Sequence, residues 1–362
     1  MPPLAGLSLV VEWITGVQAF AALASEWDTA FGAGAGPFDL HDWFSAWWRA
    51  FGVGTMTVCV VRRDGRLVAA LPVGRRGRRL TGLANDHSGW FRPLAADEEA
   101  LRELSRALLT LRASEVVLPM LPAEDPALGE LRAAAGETGR RALEEPGPVS
   151  PLVATDGDVE AWRRGDKAKW KARLARYRRK MAREHGAVFD VVVAPDRLDE
   201  WLDEGFRIEA SGWKGKGGTA IESDPRTAAF YRDVAARFQA REELRLSRLT
   251  LDGEVVAFSF CVQHGDRLYS LKSGYDERWR KLVPGLVLQL SIVERCFELG
   301  LSSYELLGNT AEWKEKLATG TRDHRALRLY SRGPDGRARH LYRGRVRPVL
   351  ARTSHRLRAP RH

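Results

Sequence analysis

Residues 244–285 read LRLSRLTLDGEVVAFSFCVQHGDRLYSLKSGYDERWRKLVPG, and this stretch decides the fold of the chain. Asp252-Gly253 and Gly265-Asp266 separate runs of β-branched and alternating apolar residues, a pattern typical of tight β-hairpins. The stretch therefore predicts three consecutive antiparallel strands: Leu244 to Leu251, Val255 to Gln263 and Arg267 to Tyr275.

A helix is predicted directly after these strands, beginning at Pro284 and Gly285 and ending before Gly300. Its apolar residues recur at spacings of four, three and four: Leu286, Leu290, Val293 and Phe297. A short strand at Tyr304 to Leu307 and a turn at Gly308-Asn309 follow. Because the free N–H groups and dipole of a helix N-terminus favour anions, the arrangement predicts a site for a phosphorylated cofactor. A sheet packed on a helix without any ligand explains the same residues and remains open.

Composition sets the outer bounds of the fold and the compartment. A chain of 362 residues with 44% hydrophobic content suits two domains. Its three widely spaced cysteines, Cys59, Cys261 and Cys296, favour a reducing compartment and no cysteine metal site. Acidic residues interrupt the apolar N-terminal stretches early, so neither a signal peptide nor a transmembrane segment is expected. We expect a cytoplasmic protein.

The net charge of +10 comes from two short segments. Residues 163–183 contain 11 Lys or Arg and one acid, and residues 331–362 contain 10 Arg and one acid, so the rest of the chain is acidic. The first segment predicts a helix with one buried stripe: Trp170, Leu174, Tyr177 and Met181. Its basic faces indicate either a solvated surface or an anionic partner such as phosphate, acidic polysaccharide, lipid headgroup or RNA. The Arg-rich C-terminal segment is expected to be a soluble tail.

An internal repeat explains the length of the chain. Residues 64–70, DGRLVAA, match residues 252–258, DGEVVAF, at an offset of 188 residues. At the same offset Gly77 aligns with Gly265 and Leu80 with Leu268. We infer a duplicated unit. The first copy lacks a Pro-Gly helix start, so we expect it to keep the fold without the cofactor loop.

The remaining pattern mixes helices and strands in both halves, which predicts an α+β (mixed α/β) fold with two tandem units. A cluster of Pro and Gly near residues 144–158 marks the predicted boundary. The predicted domains are 1–155, 156–335 and a basic tail at 336–362. In the first half we predict helices near 16–30, 40–51, 98–111 and 126–137, and strands near 55–62, 67–73, 80–84 and 115–118. In the second half we predict a strand at 188–193 and helices near 198–210 and 225–240.

These residues carry a family resemblance over about Lys169 to Lys316. The matching motifs are Trp170-Lys171-Ala172-Arg173, Glu209-Ala210-Ser211-Gly212-Trp213-Lys214-Gly215, the Asp252-Gly253 hairpin with Ala257-Phe258, Gly274-Tyr275-Asp276, Pro284-Gly285, and Leu307-Gly308-Asn309 with Trp313-Lys314. The segment resembles the GNAT acyltransferase superfamily. More narrowly it is similar to the cellulose-biosynthesis-type (CelD/BcsL-like) acetyltransferases, which resemble the Fem peptidyltransferases in pairing two GNAT units. The resemblance implies acetyl-CoA or a related acyl donor and an acceptor linked to surface polysaccharide or cell-envelope synthesis.

The cofactor loop departs from the family pattern. GNAT enzymes usually carry a Gln/Arg-x-x-Gly-x-Gly/Ala loop, whereas Arg280 to Leu286 contains one glycine. Fewer backbone N–H groups can then close on phosphates, and Arg280 and Lys281 would compensate by charge. The cofactor-binding residues that the resemblance implies are Leu271, Ser273, Gly274, Arg280, Lys281, Pro284, Gly285 and Leu286.

Direct acyl transfer needs a base, an oxyanion donor and a proton source for the leaving thiolate. Glu209 is the candidate base, because it ends a predicted helix before a glycine-rich loop, although a solvated glutamate fits the same pattern. Tyr275 could protonate the thiolate or stack on the cofactor, and core packing is the alternative. Lys272 and Lys314 could neutralise the oxyanion or a substrate phosphate, or be ordinary surface lysines. Trp213, Lys214, Lys272 and Asn309 are the expected substrate-binding residues.

Other chemistries find no motif in the chain. Gly-x-Ser-x-Gly, His-Glu-x-x-His, Walker A, zinc-finger and RNA-recognition patterns are all absent from the sequence, and no metal is expected. Gly215 to Thr219 is predicted to be a lid over the acceptor site or a simple flexible loop.

The sequence therefore predicts an acyl-CoA-dependent N- or O-acyltransferase with a small-molecule or saccharide acceptor. One alternative is a Fem-like aminoacyltransferase, in which residues 163–183 would meet tRNA or a nucleotide-linked precursor. The other is a non-catalytic scaffold of a polysaccharide-synthesis complex.

Overall fold

The computed structural model describes residues 8–34, 36–211 and 220–346. The chain divides into two compact units. The first comprises Met1–Phe44, Gly52–Gly147 and Asp323–His362, and the second comprises Ser45–Phe51 and Pro148–Arg322. The division at Gly147 falls inside the predicted boundary segment, while residues 323–335 group with the first unit. The functional domain bounds given above stay a prediction.

The described residues form a mixture of helices and strands. The helices are α1 Val17–Ala21, α2 Ala24–Phe31, α3 His41–Phe51, α4 Glu98–Thr110, α5 Pro126–Glu137, α6 Val159–Arg164, α7 Ala168–His185, α8 Leu198–Ser211, α9 Pro225–Ala240, α10 Pro284–Glu298, α11 Glu312–Leu317 and α12 Pro334–Leu341. The strands are β1 Leu9–Thr15, β2 Thr55–Arg63, β3 Arg66–Arg76, β4 Arg79–Gly82, β5 Leu94–Ala95, β6 Glu115–Pro122, β7 Arg141–Ala154, β8 Val188–Val193, β9 Leu244–Leu251, β10 Glu254–His264, β11 Arg267–Tyr275, β12 Ser303–Glu305 and β13 Gly320–Tyr330.

The strands of the first unit follow the order β1-β2-β3-β4-β6-β13. All neighbours on this path are antiparallel except β4 and β6, which pair in parallel. The second unit has the order β7-β12-β11-β10-β9-β8, again antiparallel except for the parallel pair β11 and β12. The predicted α+β class is confirmed: each unit contains mostly antiparallel strands together with helices.

The 188-residue repeat extends to the hydrogen-bond register. Arg79 is the partner of Glu115 on β4 and β6, and Arg267 is the partner of Ser303 on β11 and β12, each 188 positions later. The turns agree as well, since Asp64 and Asp252 both have a positive φ, at 52° and 49°. Both turns continue into a glycine of positive φ, as tight hairpins of this type require. The two units are therefore copies of one fold.

Helices cover the central strands of the second unit, and β10 shows the packing on both sides. Cys261 and Leu268 belong to the apolar cluster that includes the buried residues of α10. Phe258 lies against Gly205 of α8, and the ring of Phe260 contacts Tyr231 of α9 with centroids 5.6 Å apart. This alternation of side chains between layers follows from the period of two in a β-strand.

Several elements differ from the sequence-based expectation. Most of the Pro- and Gly-rich segment at 144–158, predicted as the domain boundary, lies in the long strand β7. Strands β1, β5 and β13 had no predicted counterpart. The single helix predicted near 16–30 is two helices, α1 and α2. Helix α12 covers residues 334–341 at the start of the predicted tail, and residues 347–362 lie outside the described range.

Candidate active site

A wedge opens where β11 and β12 part. These two strands pair over Arg267–Tyr269 and Ser303–Glu305, and β11 then continues to Tyr275 paired with β10 but not with β12. The chain after β12 turns sharply at Leu307 and Gly308, which both have positive φ values, 50° and 60°. The wedge is a cavity of about 650 Å³ within the second unit.

Most of the predicted site residues in the described part of the chain line this cavity. These are Glu209, Leu271, Lys272, Ser273, Gly274, Tyr275, Arg280, Gly285, Leu286, Asn309 and Lys314. Pro284 is the buried first residue of α10, and Lys281 is exposed; neither is among the lining residues. Trp213, Lys214 and the predicted lid lie outside the described residues. The structure thus brings the predicted residues together, and their individual roles stay predictions.

Helix α10 begins at the cavity without a side-chain cap. Its N-cap is Val283, in the left-handed conformation with φ 51°, and the first turn contains no acid. Val283, Gly285 and Leu286 line the cavity. A Cβ added at Gly285 would lie 3.1 Å from the ring of Tyr275, so a side chain here would press on that ring. Pro284 has no N–H, and the Leu286 and Val287 N–H groups both donate to the Val283 carbonyl at 3.1 Å. The helix start therefore offers an anion beside the cavity the Gly285 N–H and the positive end of the helix dipole.

The equivalent helix of the first unit is closed to such a ligand. Asp97 caps α4 by accepting the Ala100 amide at 2.9 Å, and two further acids, Glu98 and Glu99, follow in the first turn. Phe91, which is fully buried, lies against Gly82 at the end of β4. In the first copy carboxylates therefore occupy the helix start, and an aromatic side chain occupies the space beside the strand.

Glu209 enters the cavity wall from α8 and is 1% exposed. Its Oε2 accepts the backbone N–H of Ile221 at 2.8 Å, which fixes the carboxylate. The helix approaches β11 closely because Gly274 has no side chain. Burial chiefly, and the nearby Glu209 carboxylate, raise the pKa of Tyr231 well above its usual range. A buried carboxylate at a cavity wall is the arrangement that a general base requires.

Asp276 orders the segment that carries Arg280. Its Oδ1 accepts the backbone N–H of Arg278 at 2.9 Å, and its Oδ2 accepts the Arg278 Nε at 2.8 Å. The Arg278 hydrogen bond is the main reason that the pKa of Asp276 lies below its ordinary value of 3.8, although burial opposes it. These two hydrogen bonds cap the 3₁₀ turn Glu277–Leu282, which carries Arg280 at the cavity.

Two buried polar residues line the cavity and were not predicted from the sequence. Gln289 is 3% exposed, and its Oε1 accepts the Tyr304 hydroxyl at 2.8 Å. Ser270 is also buried and lines the cavity. The sequence could have indicated Gln289, because this residue interrupts an otherwise apolar helix face. Burial raises the pKa of the nearby Cys261 thiol to about 11, so it stays protonated at neutral pH.

The two candidate lysines have different surroundings. The Lys314 ammonium donates to the carbonyl of Leu306 at 3.0 Å and to that of Leu307. The Lys272 ammonium lies 5.6 Å from the centre of the Tyr231 ring. Lys314 thus binds main-chain oxygens, while Lys272 lies on the Glu209 side of β11.

Two negative findings apply to residues 8–34, 36–211 and 220–346. Over these ranges no three His, Cys, Asp or Glu side chains are grouped so that they could hold a metal ion. Likewise, none of the helices described there has the length and apolar character needed to cross a membrane.

Comparison with known proteins identifies the domain that contains the cavity. Residues 168–315 match the family described as acetyltransferase (GNAT) domain. No curated protein sequence matches the chain significantly.

Solved structures share the fold at low sequence identity. FemX has a TM-score of 0.58 and 10% identity, covering 90% of this chain and 97% of its own. The C-terminal domain (DUF2156) of a putative lysylphosphatidylglycerol synthetase from Agrobacterium fabrum has a TM-score of 0.55 and 15% identity, covering 89% and 95%. A tandem GNAT protein from the clavulanic acid biosynthesis pathway has a TM-score of 0.46 and 14% identity, covering 90% and 99%. Residues 168–315, which contain every residue lining the cavity, are therefore an acetyltransferase (GNAT) domain.

Proposed function

We propose that the chain transfers an acyl group directly from acyl-CoA, with acetyl-CoA as the first donor to test, to a nitrogen or oxygen of a polysaccharide or cell-envelope-related acceptor. The observation that carries the proposal is the uncapped start of α10 at the wedge between β11 and β12. The narrower CelD/BcsL-like type is part of this proposal and rests on the sequence resemblance. The first unit, whose own helix start is capped by Asp97, then has no donor site of this kind.

The residues at the wedge fit a phosphorylated, extended donor. Beyond Tyr269, no described strand pairs with β11 on the β12 side, so this edge of β11 lies open beside the cavity to an extended ligand. The Gly285 N–H and the cationic Arg280 lie at the cavity, where they would hold phosphates. The single glycine in the loop leaves fewer such N–H groups than the usual GNAT pattern.

The protein's own groups then supply the proton transfers. A bound acyl-CoA provides a thioester carbonyl, which the acceptor nitrogen or oxygen attacks; the new C–N or C–O bond forms and the C–S bond breaks. In this proposal Glu209 accepts the acceptor's proton, and Tyr275 donates its hydroxyl proton to the leaving sulfur. Passing the proton from Glu209 back to Tyr275 restores both groups. Base catalysis by a positioned carboxylate contributes roughly 10²–10⁴-fold.

A thermal-shift experiment tests donor binding. The melting temperature is measured with acetyl-CoA, CoA and aminoacyl-tRNA for the wild type, for Gly285→Leu and for Gly129→Leu. Gly129 is an exposed helical glycine of α5 with open space around it, which makes it the matched control. A donor at 100 times its dissociation constant stabilises the protein by about 2.7 kcal/mol. We expect acetyl-CoA and CoA to stabilise the wild type and Gly129→Leu only.

The other outcomes are equally definite. An acetyl-CoA shift that survives in Gly285→Leu would refute the placement of the donor at α10. No shift with any donor would favour the scaffold hypothesis. With donor binding established, thiol release in the presence of pooled sugar nucleotides, amino sugars and amines identifies the acceptor class.

The basic face of α7 favours a second candidate, aminoacyl-tRNA-dependent transfer. Lys169, Arg173, Arg176 and Arg179 are exposed, and none forms an ion pair within the described part of the chain. Acids neutralise part of this basic segment: Arg163 of α6 and Arg178 of α7 both pair with Glu294 of α10, and Lys180 pairs with Glu184. The four remaining cations fit a phosphate backbone.

Salt dependence distinguishes this candidate. If α7 binds tRNA, the logarithm of the binding constant falls linearly with the logarithm of the salt concentration, and replacing Arg173 and Arg176 by Gln should lower the slope by about one unit each. A thermal shift with acetyl-CoA and none with aminoacyl-tRNA would exclude it.

A further inference from the structure

A strained turn lies between cavity-lining residues of the segment that follows β12. Leu307 adopts φ 50° although it has a Cβ, and Gly308 follows at φ 60°. A left-handed backbone brings the Cβ of an L-residue close to the next carbonyl, so leucine rarely adopts it. Such strain persists only where surrounding contacts hold it, and it concentrates at functional sites.

Side chains hold three successive carbonyls of this turn. Lys314 donates to the carbonyls of Leu306 and Leu307, and the Ser150 hydroxyl donates to the carbonyl of Gly308 at 3.1 Å. The Leu306 N–H in turn donates to the carbonyl of Pro151 at 3.0 Å. The backbone of the turn is thus fixed by α11 on one side and by β7 on the other.

The equivalent segment of the first unit has a different backbone conformation. The positions 188 residues before Leu307 and Gly308 are Pro119 and Met120. Met120 is left-handed, with φ 60°, but the proline ring holds Pro119 at negative φ. Strand β6 there continues to Pro122, and the Met120 carbonyl accepts the N–H of Phe91 at 3.0 Å. The pair of consecutive left-handed residues therefore belongs to the copy with the cavity.

We propose that Lys314 is a positioning residue: by binding the Leu306 and Leu307 carbonyls, it holds the Leu307-Gly308 turn in the left-handed form that keeps the donor cavity open. This inference rests on the donor cavity proposed above. It differs from the direct role at the oxyanion that the sequence suggested for this lysine. Leu306, Asn309 and Thr310, which line the cavity, are carried by the turn.

Three variants test the proposal: Lys314→Met, Lys314→Arg, and Lys314→Met combined with Leu307→Gly. Lys314→Met should weaken donor binding tenfold or more, measured by calorimetry with CoA, with a smaller change in kcat. Lys314→Arg keeps two donors for the carbonyls and should restore most of the affinity. The added Leu307→Gly should also recover affinity, because glycine adopts positive φ without strain. Lys316→Met, on the same short helix and paired with Glu312, is the matched control.

Amide hydrogen exchange at residues 306–311 gives a readout without any donor. Lys314→Met should speed exchange there, and Leu307→Gly in that background should slow it again. If the wild type binds no CoA, the proposed function fails, while the exchange result still decides the role of Lys314. A fall in kcat with unchanged CoA affinity, unchanged exchange and no recovery by Leu307→Gly would overturn the positioning role.

Discussion

Gly274 of β11 lies against the main chain of Glu209 in α8, so closely that a Cβ at Gly274 would be 2.5 Å from the Glu209 Cα. No side chain fits between the strand and the helix at this point. The contact sets the position of the Glu209 carboxylate at the cavity, because the helix can rest on the strand only where the strand has no Cβ. The glycine at this position therefore allows the close contact that places the candidate base Glu209 at the cavity.

Gly274→Ala should push α8 away from β11. We expect a loss of about 1–3 kcal/mol in the free energy of unfolding, as for other overpacked sites. The rate should fall by on the order of 10²-fold, because a shift of about 1 Å at a catalytic group has that effect. Urea unfolding and thiol-release kinetics measure the two. Gly320→Ala, whose added Cβ would meet only the Leu152 side chain at 3.6 Å, is the control. Equal losses of stability and rate in Gly274→Ala and Gly320→Ala would show that the contact between Gly274 and Glu209 has no special role.

At the N-cap of α10, one substitution should stabilise the unliganded protein and weaken its binding of CoA. Val283 is β-branched and left-handed there, whereas aspartate tolerates that conformation better and can accept helix N–H bonds. Val283→Asp should therefore leave the unliganded protein as stable or more stable. Its negative charge should reduce the CoA-induced thermal shift, since it competes with phosphate for the same N–H groups.

Val283→Asn separates charge from capping in this experiment. It can cap the helix without adding a negative charge, so it should retain more CoA affinity than Val283→Asp. If both variants bind CoA as tightly as the wild type, phosphate does not lie at this helix start.

The local signals in the sequence were sufficient for the central part of the second unit. The turn Asp252-Gly253 and the start at Pro284 fix β9, β10, β11 and α10 through contacts between near neighbours in the chain, and the structure has these elements within one or two residues of the predicted bounds. The cavity follows from them, because it lies between β11 and the segment after the helix.

Long-range pairing explains what the sequence did not indicate. Strand β7 contains Pro146, Gly147 and Pro148, which favour a loop locally. Its last residues are nevertheless a strand because Val153 pairs with Tyr304 of β12, about 150 positions away. The carbonyl partners of Lys314 were missed for a different reason, since backbone oxygens have no signature in a sequence.

Glu209→Gln tests the base without disturbing its surroundings. The glutamine can still accept the Ile221 N–H through its amide oxygen, so the fold and CoA affinity should be unchanged. The kcat should fall by roughly 10²–10⁴-fold, because the amide cannot take a proton. Thiol release under saturating donor measures kcat, and calorimetry measures CoA affinity. A variant with wild-type kcat would remove Glu209 from the mechanism; parallel losses of stability and affinity would indicate a structural role instead.

Asp276 should make the segment around Arg280 sensitive to acid. The hydrogen bond from Arg278, against the opposing effect of burial, holds the pKa of Asp276 below 3.8 in the folded protein. As the pH falls, the unfolded chain therefore binds the proton first, and the stabilisation by this carboxylate is complete above about pH 4 and lost as the pH passes through the folded value. Asp276→Asn should thus be less stable than the wild type at neutral pH, with the difference shrinking below pH 3.8. Urea unfolding at pH steps from 2 to 7 measures that difference.

Glu124→Gln is the control, because Glu124 is an exposed carboxylate with no ion pair within the described residues. The stability difference between this variant and the wild type should not shrink comparably at low pH. A difference between Asp276→Asn and wild type that stays constant down to pH 2 would show that the ionised carboxylate does not order this turn.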